Sequence, residues 1–173
     1  MTCGRCSGSL HVADRSGLLR DLDAARDGFL EVLSEVDLEL ATVPGVMEDW
    51  SVRDLVYHVA VWCEHGSEAI DLAAHGRAEA FSYSWGDTDA MNERFLAEGR
   101  SFSPADALAR EEAAFEGFRA RITGLDEALI GLELGNGDTV EEVIVYDGPR
   151  HYDEHTGHLR AWFGTDADKD DQV

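Results

Sequence analysis

Seven histidines punctuate this chain of 173 residues: His11, His58, His65, His75, His151, His155 and His158. His151 and His155 are four apart, so on a helix they lie within about 40° of each other and one turn apart. That spacing lets two imidazoles reach one metal ion. Leu159 and Trp162 continue the same face, which turns the pair inward. His58 lies between Leu55 and Trp62 on another inward face and could meet the pair from a facing helix. Three neutral imidazoles on one side of a divalent ion leave positions open for water or a substrate atom. Such an ion lowers the pKa of a bound water or thiol. Asp54, one turn before His58, is a candidate acceptor for fixing an imidazole tautomer. Spacing alone leaves His65 and His158 as competing ligands, and it is also compatible with histidines that only pack or face solvent. His11 and His75 sit near element ends and read as surface residues.

The cysteines offer less. Cys3 and Cys6 form a C-x-x-C, but no strand precedes it and no second ligand pair follows, so it reads as a frayed terminus. Cys63 reads as a small apolar packing residue. Three cysteines do not make a disulfide framework.

The elements that must carry these residues are helical. Leu18, Leu22, Ala25, Phe29, Leu33, Val36 and Leu40 recur at steps of three and four, predicting a helix of about 25 residues ended by Pro44 and Gly45. Ser51 and Asp54 form a capping box, and Trp50 and Leu55 occupy its hydrophobic staple positions. The helix that follows carries His58, Val59, Trp62, His65, Ala69 and Leu72, with Gly76 at its end. Residues 77–87 read as a loop bearing Phe81, Tyr83 and Trp85, and a short helix spans Thr88 to Glu98. Ser103-Pro104 opens another helix, with an apolar stripe at Leu108, Phe115, Phe118 and Ile122. Leu125, Leu129 and Ile130 extend that apolar content. Gly135-Asn136-Gly137 marks a turn, and Thr139 with Glu142 caps the last helix. Gly148-Pro149 interrupts that helix, which must kink or restart there. The expected fold is all-α: a four-helix bundle with an extra short helix and loop between helices 2 and 3. Residues 1–13 are expected to be flexible, 14–164 to form the bundle, and 165–173 to form an acidic flexible tail.

Charge narrows the partners expected. Lys and Arg number 14 against 36 Asp and Glu, a formal charge of −22, and Lys169 is the single lysine. A chain this acidic is expected to bind no nucleic acid, because affinity for phosphate backbones comes mainly from Lys and Arg. It is expected to avoid anionic membranes for the same reason. No stretch approaches the roughly 18 apolar residues of a membrane span, and no signal-peptide core is visible. The expectation is a soluble cytoplasmic protein.

Two motifs carry a family resemblance. Trp50-Ser51-Val52-Arg53-Asp54-Leu55-Val56-Tyr57-His58-Val59 resembles the second-helix motif of the DinB/YfiT-like family. His151-Tyr152-Asp153-Glu154-His155-Thr156-Gly157-His158 resembles its second motif, a His-x-x-x-His pair, with His158 standing where Gln is common. Asp89-Ala90-Met91-Asn92 and the His-Tyr-x-x-His form also resemble the ClbS/DfsB-like branch. The resemblance covers roughly residues 16–163. It implies a four-helix bundle, a homodimer and a metal triad of His58, His151 and His155, holding a divalent transition metal such as Zn or Ni. The family includes bacterial thiol-dependent S-transferases and mycothiol-dependent maleylpyruvate isomerase. The implied function is therefore a thiol S-transferase or hydrolase acting on a small electrophile, with mycothiol as a plausible co-substrate. The alternative is a stress protein of the same fold that binds a metal or small molecule without turnover. No general acid or base is identifiable. Trp62, Tyr57, Phe81, Tyr83 and Trp85 are candidates for the pocket wall.

Overall fold

The computed structural model describes residues 14–37, 39–82 and 88–170. Cys3, Cys6, His11, Tyr83 and Trp85 lie outside the described residues. Six α-helices are described: α1 Arg15–Leu33, α2 Val52–Ala74, α3 Thr88–Gly99, α4 Pro104–Gly124, α5 Val140–Asp147 and α6 Pro149–Asp170. The four long ones, α1, α2, α4 and α6, make the bundle. α2 packs most extensively on α4, and α1 on α6. α3 is the extra short helix between the second and third long helices, and it covers α2. Leu22, Phe29, Leu55, Phe118, Ile122, Ile144 and Leu159 are sealed in one continuous core. No helix among the described residues is long and apolar enough to cross a membrane.

Local chemistry sets most helix starts. The Ser51 hydroxyl accepts from the Asp54 N–H, and the Asp54 carboxylate accepts from the Ser51 N–H, closing the expected capping box of α2. Thr139 and Glu142 close an equivalent box at α5. Ser103 caps α4, with Pro104 at its first position. Gly76, just past α2, takes a φ of +66°, the left-handed conformation that glycine adopts without strain.

Two elements depart from the sequence expectation. α1 stops at Leu33 rather than near Leu40. The Ser34 hydroxyl bonds the Glu31 carbonyl at 2.7 Å, and the Asp37 carboxylate accepts from the Glu39 N–H at 3.0 Å. Such local side-chain bonds compete with the helical ladder, and apolar periodicity does not register them. Leu40 is accordingly exposed. The final helix restarts: α5 ends at Asp147, and Pro149 is the first residue of α6. A Cβ on Gly148 would lie 2.7 Å from the Ile144 carbonyl oxygen, so this junction needs glycine. The break falls before His151, and the pair His151–His155 stays on one helix.

The apolar stripe of α4 contains an unexpected member. Leu108 is exposed, whereas Glu111, on the stripe between Leu108 and Phe115, is fully buried. Its carboxylate accepts two bonds from the Arg26 guanidinium of α1, at 2.9 and 3.0 Å, and one from the Tyr152 hydroxyl of α6, at 2.5 Å. Arg26 also lies over the Phe115 ring, 4.2 Å from its centroid. One carboxylate thus ties three bundle helices together. Removing one partner of a buried ion pair strands the other, at a cost of about 3–5 kcal/mol. Glu111→Ala is therefore expected to lower the unfolding free energy in urea melts by roughly that amount. Adding Arg26→Met should recover part of it; no recovery would mean that the pair is not coupled.

Candidate metal centre

α2 and α6 face each other where His58, His151 and His155 meet. The structure brings these three together: one ligand nitrogen from each lies within 4.8 Å of the others. His151 Nε2 is 2.9 Å from His58 Nε2 and 3.1 Å from His155 Nε2. His58 and His155 are buried, and His151 is half-buried. Trp50 and Trp62 pack edge-on against the His58 ring, at centroid distances of 5.0 and 6.1 Å.

Electrostatics keep these rings neutral. Burial holds the His151 pKa down to about 4. Burial, then the neighbouring imidazoles, holds His58 and His155 well below the usual histidine range. A neutral imidazole nitrogen carries either one proton or one lone pair. His151 Nε2 therefore cannot satisfy both neighbours by ordinary hydrogen bonds, whereas three converging lone pairs suit one shared cation. The separations of 2.9 and 3.1 Å bring the donors close enough to share one ion. The donor set fits a divalent transition metal.

The supporting residues differ from the sequence expectation. Asp54 does not reach His58; its carboxylate is taken up by Ser51 and by Arg53, at 2.9 Å. The cap claims it because Asp54 lies at the helix start. His58 Nδ1 is buried without a partner among the described residues. His158 instead supports His155, their Nδ1 atoms being 3.1 Å apart. With the His155 Nε2 lone pair free for a metal, its Nδ1–H donates to His158.

His65, the other competitor, belongs to a separate buried pair. Its Nδ1 lies 2.8 Å from Asp147 Oδ2, and Phe81 packs on its ring at 4.8 Å. Burial raises the Asp147 pKa, against the pull of His65. Sequence reasoning missed Asp147, whose only signal was its place before the Gly148-Pro149 break. His75 is exposed, with Nδ1 bonded to the Asp71 carbonyl oxygen. Cys63 is fully buried, 3.6 Å from the Tyr152 hydroxyl, and burial pushes its thiol up to about 12, which removes it as a nucleophile.

Of the candidate wall residues, Trp62 lines a cleft of about 430 Å³ beside His151. Tyr57 turns away, donating to Glu98 at 3.2 Å and accepting from Arg110 at 2.9 Å.

Residues 19–160 match the family model described as the mycothiol maleylpyruvate isomerase N-terminal domain. The chain belongs to this family. Membership agrees with the DinB-like resemblance read from the two histidine motifs. Solved structures of the same fold include an uncharacterised protein from Escherichia coli UTI89, 19% identical, covering 88% of this chain and 94% of that one, with a TM-score of 0.76. Another is the colibactin self-resistance protein ClbS in complex with a dsDNA, 19% identical over 86% of this chain and 94% of that one, TM-score 0.74. A third is the mycothiol-dependent maleylpyruvate isomerase, 17% identical over 86% of this chain, TM-score 0.73. This chain spans 62% of that isomerase's length. No curated protein sequence matches the chain significantly.

The ClbS complex overturns one expectation. The charge balance was read as excluding nucleic acid, yet a protein of this fold is seen with a DNA duplex. Net charge sums the whole surface, whereas a duplex meets one patch and its local donors. The exclusion is withdrawn.

The depressed imidazole pKa values have a stability consequence. As pH falls, the unfolded chain takes up protons first, near pH 6.5, while the folded rings resist them. The metal-free protein is expected to hold this share of its stability above about pH 6.5 and to lose it towards pH 4. Thermal melts of the metal-free protein and a His151→Leu variant across that range test this. The variant should show the shallower fall, and an identical slope would contradict the assignment.

Proposed function

We propose that the protein is a divalent-metal-dependent enzyme that activates a thiol, mycothiol foremost, or water against a small electrophile. The observation that carries this reading is the convergence of the imidazole nitrogens of His58, His151 and His155 within 4.8 Å in a buried, charge-neutral setting. Those three residues would hold the ion, and three imidazole donors suit a divalent transition metal such as Zn or Ni. When bound, the ion would supply the charge that makes a thiol or water nucleophilic near neutral pH. Family membership supports the thiol, since the isomerase of the same fold is mycothiol-dependent by name.

The chain's own residues perform the remaining tasks. Burial keeps the three imidazoles unprotonated, so protons do not compete for their lone pairs. His158 holds His155 in the tautomer whose Nε2 is available. Trp50 and Trp62 pack on the rings and restrict their rotation. The cleft beside His151 gives an electrophile access, with Trp62 as one wall.

The direct test is turnover of a model electrophile by the metal-loaded protein with mycothiol. Product formation should depend on metal and fall by about 100-fold or more in His155→Ala, as expected when a ligand of the reacting centre is lost. Equal rates would sink the reading, and stoichiometric uptake without product would indicate sequestration instead. A second test addresses His158. His158→Phe should weaken metal affinity by about 10–100-fold in chelator competition, whereas His158→Gln, which keeps an acceptor, should stay close to wild type.

A further inference from the structure

Apolar packing has no preferred direction, yet a metal site built across two helices needs one. The imidazole nitrogens of α6 stand about 6–7 Å from its axis, so a rotation of about 10° moves them by about 1 Å. Metal–ligand distances are held to about 0.2 Å. The rotation of α6 must therefore be fixed closely before His58 and the pair can share an ion.

The contacts that can fix it converge on Tyr152, the residue after His151. Its ring is sealed, packed edge-on against Phe29 of α1 at 5.5 Å and Phe115 of α4 at 6.3 Å. Its hydroxyl donates to Glu111 of α4 at 2.5 Å and lies 3.6 Å from the Cys63 thiol of α2, the helix that carries His58. Glu111 is held in turn by the Arg26 guanidinium through two bonds, at 2.9 and 3.0 Å. One phenol thus meets the other three long helices. Charge-assisted bonds are short and directional, as apolar contacts are not.

The chemistry of this layer is also informative. Glu111 is 0% exposed and the Arg26 side chain 15%. A buried ion pair carries a desolvation cost that its attraction barely offsets, and replacing it by apolar residues of similar volume is often neutral or stabilising. A bundle that needed only stability could fill this place with Leu and Met. What the ionic layer adds is a fixed orientation.

We propose that the Arg26–Glu111–Tyr152 layer is a positioning device for the three histidines rather than a source of stability. It sets the rotation of α6 at which His151 and His155 meet His58, and Tyr152 is the positioning residue that transmits it. The proposal rests on the reading of these histidines as metal ligands and extends it to residues outside the ligand set.

The test separates geometry from stability. The triple variant Arg26→Met, Glu111→Leu, Tyr152→Phe makes the layer apolar. It should melt at or above the wild-type temperature by circular dichroism, yet bind Zn(II) about 10–100-fold more weakly in chelator competition, the effect of losing residues that orient ligands. Tyr152→Phe alone keeps the ring and removes the hydroxyl, and it should weaken Zn(II) by about 10-fold while staying folded. Ile122→Val, a core change on α4 away from the layer, should leave Zn(II) affinity unchanged. Wild-type Zn(II) affinity in the triple variant overturns the proposal. A melting temperature well below wild type also overturns it, since the layer would then be a stabilising one. A second readout needs no metal. The His58 and His151 rings lie 4.8 Å apart, so nuclear Overhauser effects between their protons should be seen in the metal-free wild type and should weaken in Tyr152→Phe. Unchanged effects overturn the proposal. A wild-type protein that takes up no metal would remove the metal reading, while the ring-to-ring comparison would still decide the positioning role.

Discussion

A carboxylate in the middle of a helix bundle needs partners from more than one helix. Glu111 obtains them from Arg26 on α1 and Tyr152 on α6, and that requirement fixes how the helices stand. Tyr152 lies between His151 and His155 in the chain, so its anchorage to Glu111 sets the rotation of α6 about its own axis. With Tyr152 turned towards α4 and α1, the two histidines turn towards α2 and meet His58. Burial drives the Tyr152 phenol pKa far upward, so it stays a neutral donor to the carboxylate. The ionic layer and the imidazole layer are in this sense one device: the first sets the orientation that the second needs.

Neutrality is the second theme. The protein carries a large negative charge, yet the three converging imidazoles are kept uncharged by burial and by one another. Burying neutral rings is far cheaper than burying ions, and lone pairs kept free of protons are what a metal requires. Around this layer the chain places a second buried pair, His65 with Asp147, and a cleft lined in part by Trp62 and His151. Membership in the mycothiol maleylpyruvate isomerase N-terminal domain family gives that arrangement a chemical context. The same fold in a DNA complex shows that a global charge balance says little about what one patch meets.

Much of the fold was legible because it rests on local rules. The capping boxes at Ser51 and Thr139 and the Pro104 start are written in a few adjacent residues, and each formed as read. The end of α1 was not legible, because the bonds of Ser34 and Asp37 compete with a periodicity that continues past them. Asp54 was read as a partner for His58, but the helix start claimed its carboxylate first. Glu111 was passed over because an acidic residue within an apolar stripe ordinarily marks an exposed edge, and its two partners lie 85 and 41 residues away in the chain.

The sequence by itself determined the helical class, the helix starts, the break at Gly148-Pro149 and the i, i+4 pairing of His151 with His155. These depend on backbone geometry over at most a few turns. The tertiary structure decided that His58 rather than His65 meets that pair, that His158 backs His155, and that His65 turns instead to Asp147. It also set the Arg150 guanidinium over the Tyr146 ring at the cleft. These outcomes depend on the rotation of one helix against another, which is set by long-range packing and by one buried carboxylate, and no local pattern encodes it.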